Sequence, residues 1–434
     1  MSDRMKLPPE KDCGFYQRRK HDEWREVAPP DPPLEGPVAD SHAHVHSLPD
    51  PAWELVRCAA NNVRFVCEIC DPSEDTFDIP GDARKWQAAA LEELQALALV
   101  RRAEPSNPKE TQAPQAPRRA QASSSPGLLG QAASQEEAQA LNCIQVRSFP
   151  QLSGQSTSKT PDLPIMRITA GVHPHNAKLY DDEVEKLLMK WLEAPETVIV
   201  GEIGLDYHYD LSPRDVQRKV FRRQIQIAKE LDMPISLHLR GGDPEPASSV
   251  ERGSAGSQHQ TEGPEAVRAG ETPVSASGLA PASEPNAAER PAPASTIEPP
   301  ALTYSNAHRE AFEILQEVGF PSRGTILHCC ALPPEELQPW VDAGCYIAYG
   351  GTLTFKTADA AREGARIVPA DQLLLETDSP YMAPEPMRGA ACTPAHVIFS
   401  AARLAEIRGI APGPDRERFL AQLMENTRRI FGLD

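Results

Sequence analysis

The chain has 434 residues, of which 40% are hydrophobic and 24% are charged, so its apolar side chains suffice for a globular core. The formal net charge of −18 excludes a protein that coats nucleic acid with a broad basic surface. A phosphodiester substrate stays compatible with this charge, because bound metal ions are often the strongest local positive charge in a site.

Short apolar runs alternate with helical patterns along most of the chain. Eight runs predict strands that end near Ala39, Ile69, Ala170, Val200, Leu237, Leu327, Ala348 and Leu375. Helices are predicted over residues 83–102, 181–192, 213–231, 308–318, 335–341, 394–406 and 415–431. The third of these helices is expected to have Ser212 as its N-cap. This alternation predicts an α/β fold, the (β/α)8 TIM barrel, whose active site lies at the C-terminal ends of the strands.

The composition divides the chain into one folded domain and several polar segments. Residues 1–36 are predicted to be a polar N-terminal extension, and residues 37–432 a single TIM-barrel domain. Two low-complexity insertions, at 103–163 and 241–303, interrupt this domain. They contain few aromatic residues, so they bury too little apolar surface to offset the entropy of ordering, and disorder is predicted.

Six side chains of the types that bind metal ions follow the predicted strands. They are His42, His44, Glu202, His238, His328 and Asp378. A single histidine beside an apolar run is usually structural, and a lone buried carboxylate is often half of an ion pair. Because the C-terminal ends of barrel strands meet at one face, we expect these six to share a metal centre. The sequence predicts divalent ions, two per chain, and Mg²⁺, Mn²⁺ and Zn²⁺ all stay open.

Three of the predicted ligands have specific expected roles. His42 and His44 are two residues apart in a strand, so both imidazoles point to the same face. The two oxygens of Glu202 can bridge two metal ions, which makes it one predicted catalytic residue. Asp378 is the other, because an aspartate at this position can bind metal and also take the proton from the attacking water.

Two further residues are predicted to bind substrate. His173, in a His-Pro-His sequence with His175, is placed to bind a phosphate or to orient a ligand, although a structural turn is the alternative. Arg240 follows His238 by two residues, and its guanidinium suits a phosphate. An ordinary solvated arginine is nearly as plausible there.

The motifs around these residues resemble those of the TatD family of metal-dependent deoxyribonucleases. They are DSHAH at 40–44, GVHPH at 171–175, GEIGLDY at 201–207, ISLHLR at 235–240, LHC at 327–329 and ETDSPY at 376–381. The resemblance covers about residues 37–72 and 165–432. It implies an amidohydrolase-type TIM barrel, one to three divalent ions and hydrolysis of phosphodiester bonds in DNA. It also implies that the six residues above bind metal, that Asp378 is the general base and that His173 lines the phosphate site.

The sequence therefore predicts a divalent-metal-dependent deoxyribonuclease of the exonuclease type, with DNA as its substrate. Two alternatives stay open: a hydrolase of another ester or an amide on the same metal site, and a metal-binding scaffold protein. Nine cysteines without regular spacing indicate reduced thiols and a cytoplasmic protein. The sequence indicates no transmembrane helix, no secretory signal and no obligate protein partner.

Overall fold

One parallel sheet dominates the described part of the chain. The structure is a computed structural model, and it describes residues 13–18, 23–74, 78–103, 161–241 and 306–433. Eight of the ten strands in these residues form the sheet in simple chain order, with every neighbouring pair parallel. The strands are β1 (Phe15–Arg18), β2 (Trp24–Val27), β3 (Val38–Ala43), β4 (Val63–Cys70), β5 (Ile165–Ala170), β6 (Thr197–Asp206), β7 (Ile235–Arg240), β8 (Thr325–Leu327), β9 (Tyr346–Tyr349) and β10 (Leu373–Leu375).

The eight predicted strands correspond to β3 to β10, and the TIM-barrel prediction is confirmed. The largest difference is in β6, which continues six residues beyond the predicted end at Val200. Its extension pairs with β7 through Ile203, Gly204 and Leu205. Pairing with a neighbouring strand therefore keeps the backbone extended after the apolar run has ended.

The barrel is closed by contacts between β3 and the segment after β10. Ala43 and Ser379 form a parallel β-bridge, and the backbone N–H of His44 donates to the Ser379 carbonyl at 2.7 Å. The buried Asp40 carboxylate accepts from the backbone N–H of Thr377 at 2.9 Å and from its hydroxyl at 2.6 Å. Side-chain and backbone hydrogen bonds thus join the first and last strands of the barrel.

Nine α-helices in the described residues fill the connections and the C-terminus. They are α1 (Pro51–Ala60), α2 (Ile79–Ala103), α3 (Asp182–Leu192), α4 (Arg214–Glu230), α5 (Asn306–Val318), α6 (Pro334–Asp342), α7 (Asp359–Ile367), α8 (Val397–Ile407) and α9 (Pro414–Phe431). Seven correspond to the predicted helices, whereas α1 and α7 were not predicted. The buried face of α7 consists of Ala361, Gly364 and Ala365, so it lacks the large apolar side chains that mark a helix in a sequence.

The expected N-cap of α4 is wrong. Pro213 occupies that position, and α4 has no side-chain cap. The Ser212 hydroxyl instead donates to the carbonyl of His175 at 2.7 Å and accepts from the backbone N–H of Lys178 at 3.1 Å. Ser212 therefore fixes the loop that carries His175.

The interior of the barrel holds its own apolar cluster. Strand residues such as Ala39, Phe65 and Ile199 pack there against Ile430 and Phe431 of α9. The rings of Phe65 and Phe431 lie 4.7 Å apart, centroid to centroid. Since these strand residues lie near the starts of their strands, the cluster fills the N-terminal end of the barrel and leaves the C-terminal end to polar side chains.

The N-terminal segment before the barrel includes an antiparallel hairpin of β1 and β2. Phe15 of β1 is 1% exposed and packs edge-on against Phe399 of α8, with ring centroids 5.0 Å apart. It also contacts the ring of His396 at 5.6 Å. The hairpin therefore contributes a large apolar side chain to the core outside the sheet.

The predicted insertions fall almost entirely outside the described residues, and the domain limits stay predictions. None of the helices in the described ranges has the length and apolar character that a membrane span requires. The eight cysteines in these ranges form no disulfide, and seven of them are buried.

Candidate metal centre

The six residues predicted as metal ligands converge at the C-terminal end of the barrel. They are His42, His44, Glu202, His238, His328 and Asp378. All of them were expected just past their strands. His42, Glu202 and His238 instead lie within β3, β6 and β7, whereas His328 directly follows β8. These three strands continue beyond their predicted ends, and the extension of β6 pairs with that of β7.

Glu202 connects the members of this group. Its Oε1 atom lies 2.6 Å from Nδ1 of His238 and 3.0 Å from Nε2 of His328. Its Oε2 atom lies 3.5 Å from Nε2 of His42. Burial alone would raise the pKa of Glu202, but the surrounding imidazoles of His328, His42 and His238 lower it well below its usual range. The carboxylate is therefore ionised, and its two oxygens face different histidines.

Asp378 forms a second part of the site with His42 and His44. Its Oδ1 atom lies 3.6 Å from Nε2 of His44 and 3.9 Å from Nε2 of His42. The backbone of Asp378 has a φ of 58°, in the left-handed region, and its N–H donates to the carbonyl of His42 at 2.9 Å. The side chain is 18% exposed, so a molecule at the barrel mouth can reach this carboxylate.

The chemistry of His42 fits a bound cation. Both of its ring nitrogens are buried without a hydrogen-bond partner. Such unsatisfied atoms cost about 1–3 kcal/mol each, a cost that a coordinated ion would remove. Burial lowers the pKa of His42, and the neutral imidazole is the form that binds metal. Its ring also stacks on that of His328 with centroids 3.8 Å apart, so two imidazoles approach Glu202 side by side. Imidazole and carboxylate together suit Zn²⁺, Mn²⁺ and related ions.

Two buried carboxylates contact the ring nitrogens of His328 and His238 that point away from Glu202. Oε2 of Glu376 lies 3.3 Å from Nδ1 of His328, and its Oε1 accepts from the backbone N–H of Cys329 at 2.7 Å. Oδ2 of Asp206 lies 3.3 Å from Nε2 of His238. Each contact leaves the other ring nitrogen pointing at Glu202. Proteins usually fix the metal-binding tautomer of a histidine by placing a carboxylate against the ring nitrogen that does not bind the metal.

His173 lies beside the group with one ring nitrogen already engaged. Its Nδ1 accepts from the backbone N–H of His175 at 3.1 Å, and its Nε2 lies 3.8 Å from Oε1 of Glu202. Burial and the charge of His238 lower the pKa of His173 well below its usual range. The neutral ring therefore carries its proton on Nε2, which makes it a hydrogen-bond donor to an anionic oxygen.

The nearby His175 pairs with Asp206, at 2.7 Å from Nε2 to Oδ2. Its ligand atom lies close to those of His173 and His238, and the three form a further histidine group. Asp206 thus contacts two histidines at once. Burial alone would raise the pKa of Asp206, but hydrogen bonds from His175 and His238 lower it.

Arg240, the second predicted substrate-binding residue, lies away from the imidazoles. It is the exposed last residue of β7, and its guanidinium carbon lies 4.6 Å from the centroid of the Tyr209 ring. The position is at the barrel mouth, on the same side as His175. A role in substrate binding stays a prediction.

Sequence reasoning did not identify the part that Glu68 plays. This fully buried carboxylate of β4 accepts from the backbone N–H of Val45 at 2.7 Å and pairs with Nδ1 of His46. It therefore fixes the turn that follows His44. The signal in the sequence is a carboxylate within the apolar part of β4, between Cys67 and Ile69.

Comparison with known proteins places the chain among metal-dependent hydrolases. The family model described as TatD related DNase matches residues 121–267 and 303–432. The chain is 28% identical over 265 residues to the uncharacterized metal-dependent hydrolase YabD of Bacillus subtilis, covering 61% of this chain and 76% of the relative. It is 25% identical over 270 residues to the 3′-5′ ssDNA/RNA exonuclease TatD of Citrobacter koseri, covering 61% and 77%.

A solved structure shows the same fold. The crystal structure of YjjV, a TatD homologue from Escherichia coli K12, matches with a TM-score of 0.52 and 18% identity, over 92% of this chain and 98% of that one. The family model begins after β3 and β4, yet these strands are the first two of the same closed sheet and carry His42 next to Glu202. The model matches more than half of the residues, and the chain belongs to the TatD related DNase family of metal-dependent hydrolases.

Proposed function

We propose that this metal-dependent hydrolase cleaves phosphodiester bonds of DNA and removes nucleotides from single-stranded ends. The observation that carries the proposal is the position of Glu202 between His42 on one oxygen and His238 with His328 on the other. One carboxylate between two sets of histidines suits a pair of divalent ions, and such pairs are common in enzymes that cleave phosphodiesters.

The residues divide into two proposed metal-binding sets. His42, His44 and Asp378 would hold one ion, His238 and His328 a second, and Glu202 would contact both. The bound ions would lower the pKa of a water molecule and offset the negative charge of a phosphate. The ions are Mg²⁺, Mn²⁺ or Zn²⁺, and two per chain is the proposed number.

Side chains of the protein would provide the proton transfer and the contacts to the phosphate. Asp378 is ionised, because His44, His328 and His42 lower its pKa although burial alone would raise it. It can therefore accept the proton of an attacking water. His173 presents an Nε2–H that can donate to a phosphate oxygen beside Glu202. Arg240 offers a positive charge farther along the mouth.

The substrate class is supported by a relative and by the charge of the chain. The relative from Citrobacter koseri is named as an exonuclease of single-stranded DNA and RNA. A net charge of −18 argues against binding of DNA through a broad basic surface, so the proposal places the contacts in the site itself. This limits the proposal to a short stretch of strand near an end. A cytoplasmic location stays part of the proposal.

The test is hydrolysis of end-labelled single-stranded DNA by metal-stripped protein, with Mg²⁺, Mn²⁺ or Zn²⁺ added back. Metal-dependent shortening of the strand by the wild type, and none by Asp378→Asn, is the expected result. If metal binds but no ion restores cleavage, the proposal is wrong, and another ester or amide substrate, or a scaffold role, replaces it.

A further inference from the structure

Two tyrosine rings at the mouth of the barrel are exposed to solvent. Tyr209 is 51% exposed and Tyr381 is 48% exposed, and every other phenylalanine, tyrosine or tryptophan with a described side chain is less exposed than these two. Tyr209 follows the end of β6, and Tyr381 follows β10. Both therefore lie at the end of the barrel that carries the candidate metal centre. Exposed aromatic rings in this position are available to cover a bound ligand.

The two rings flank different parts of the candidate metal centre. Tyr381 meets the ring of His44 edge-on, with centroids 5.9 Å apart. Tyr209 meets the ring of His175 edge-on at 5.4 Å. His44 belongs to the group with Asp378, and His175 to the group with His238, while Glu202 lies between the two groups. One tyrosine therefore stands beside each end of the centre.

Both tyrosines are held by the segments that carry the site. The backbone N–H of Tyr209 donates to Oδ1 of the buried Asp206 at 2.9 Å, and Oδ2 of Asp206 contacts His238. The backbone N–H of Tyr381 donates to the carbonyl of Asp378 at 2.8 Å. The backbone at both tyrosines is thus fixed relative to the ligand side chains, which reduces the conformational entropy lost when the rings cover a ligand.

Tyr209 also carries a positive charge on its face. The guanidinium carbon of Arg240 lies 4.6 Å from its ring centroid, and the arginine itself is exposed. Aromatic rings with an adjacent arginine are the features by which proteins hold single-stranded nucleic acids. The ring stacks on a base of any identity, and the cation attracts the backbone.

We propose that Tyr381 and Tyr209 stack on the bases on either side of the phosphate at the metal centre, and that Arg240 contacts the next phosphate. The ligand is a single-stranded polynucleotide, because a duplex keeps its bases stacked on each other and cannot offer them to the rings. This inference rests on the proposed function and adds the residues that select the single strand. Stacking on one aromatic ring changes the affinity by about tenfold or more.

The experiment compares Tyr209→Ala and Tyr381→Ala with the ring-preserving Tyr209→Phe and Tyr381→Phe. Each is assayed for the KM of cleavage on a single strand and on the same strand with abasic residues around the cleaved bond. Affinity for both strands is measured by fluorescence anisotropy in an Asp378→Asn background, so that the strand stays intact. Leu231→Ala is the control. Leu231 is also a large exposed side chain, but it follows α4 near the start of β7, at the end of the barrel opposite the candidate metal centre.

We expect each alanine variant to raise the KM and the dissociation constant for the normal strand about tenfold, with little change in kcat. The phenylalanine variants and Leu231→Ala should match the wild type. On the abasic strand, the alanine variants should differ little from the wild type, because no base is present to stack.

Three results would overturn the inference. If both alanine variants cleave the strand with unchanged KM and affinity, the tyrosines do not stack on bases, although the proposed function still holds. An equal loss on the normal and abasic strands shows that the tyrosines only support the local structure. If the wild type neither binds nor cleaves any strand, the proposed function fails and this inference fails with it.

Discussion

Glu376 lies directly behind His328, with its Oε2 atom 3.3 Å from Nδ1 of the imidazole. The carboxylate is fully buried and also accepts from the backbone N–H of Cys329 at 2.7 Å, so it cannot turn away. In the neutral, metal-binding form of His328, this contact keeps the proton on Nδ1 and leaves Nε2, on the side of Glu202, for a metal ion. Glu376 therefore decides which nitrogen of His328 is available to a metal ion.

Changing Glu376 to Gln should weaken metal binding. A glutamine that still accepts from Cys329 must turn its NH2 group toward Nδ1 of His328, which then accepts and moves the ring proton to Nε2. Loss of such a carboxylate typically lowers metal affinity or activity by about 10- to 100-fold. Calorimetric titration of the metal-stripped variant with Zn²⁺ measures the effect. Glu363→Gln, on the exposed face of α7, is the matched control, and equal affinities in both variants would refute the role given to Glu376.

Asp378→Asn should abolish hydrolysis and leave the barrel folded. Asparagine preserves the size of the side chain and the left-handed backbone at φ 58°, which asparagine tolerates well. It cannot accept the proton of the attacking water, and loss of a general base alone costs about 100- to 10,000-fold in rate. Turnover and circular dichroism are the measurements. A folded variant with wild-type turnover would remove Asp378 from the proposed mechanism.

Metal uptake at neutral pH should release protons. In the metal-free protein burial alone would lower the pKa of His328, but Glu202 and Glu376 raise it well above its usual range, and the pKa of His238 is also raised. The protonated form of His328 in particular is therefore favoured, and this imidazolium must lose a proton before it binds metal. Apparent affinity should rise with pH until the raised pKa values are passed. Calorimetry in two buffers of different ionisation enthalpy counts the protons, and an affinity independent of pH between 6 and about 8 would contradict this assignment.

Phe15→Ala should destabilise the barrel although Phe15 lies outside it. The ring is 1% exposed against Phe399 and His396, and removal of a buried phenylalanine side chain costs about 3–5 kcal/mol. The free energy of unfolding in denaturant measures the loss. Gln17→Ala on the same strand, where the side chain is only partly buried, should change it little. Equal values for the two variants would show that the hairpin does not support the barrel.

The sequence predicted the strands well because each barrel strand contains an apolar run. It did not predict the hairpin, since β1 buries only Phe15 and its other side chains are partly exposed. The partners of the buried carboxylates Asp40 and Glu68 were also unpredictable from the local sequence pattern. These partners, Thr377 and Val45, come from other segments of the chain, and the local sequence does not show which segments meet in the fold.

The candidate site was likewise predicted only in part from the sequence. The order of the motifs predicted which six side chains would meet, because all lie within or directly after the C-terminal parts of strands in one parallel barrel. It did not predict which nitrogen of each imidazole faces Glu202, since that depends on carboxylates such as Asp206 and Glu376 behind the rings. The exposure of Tyr209 and Tyr381 was likewise visible only in three dimensions.

The seam between β3 and the segment after β10 has a consequence for biosynthesis. The bonds from Asp40 to Thr377 and from His42 to Asp378 join residues more than 330 positions apart. A ribosome therefore exposes His42 and His44 long before the aspartate that completes their half of the proposed metal site. A chain that stops short of Thr377 would have an unclosed barrel and an incomplete set of ligands. Stable metal loading would thus mark a chain whose synthesis has passed its last strand.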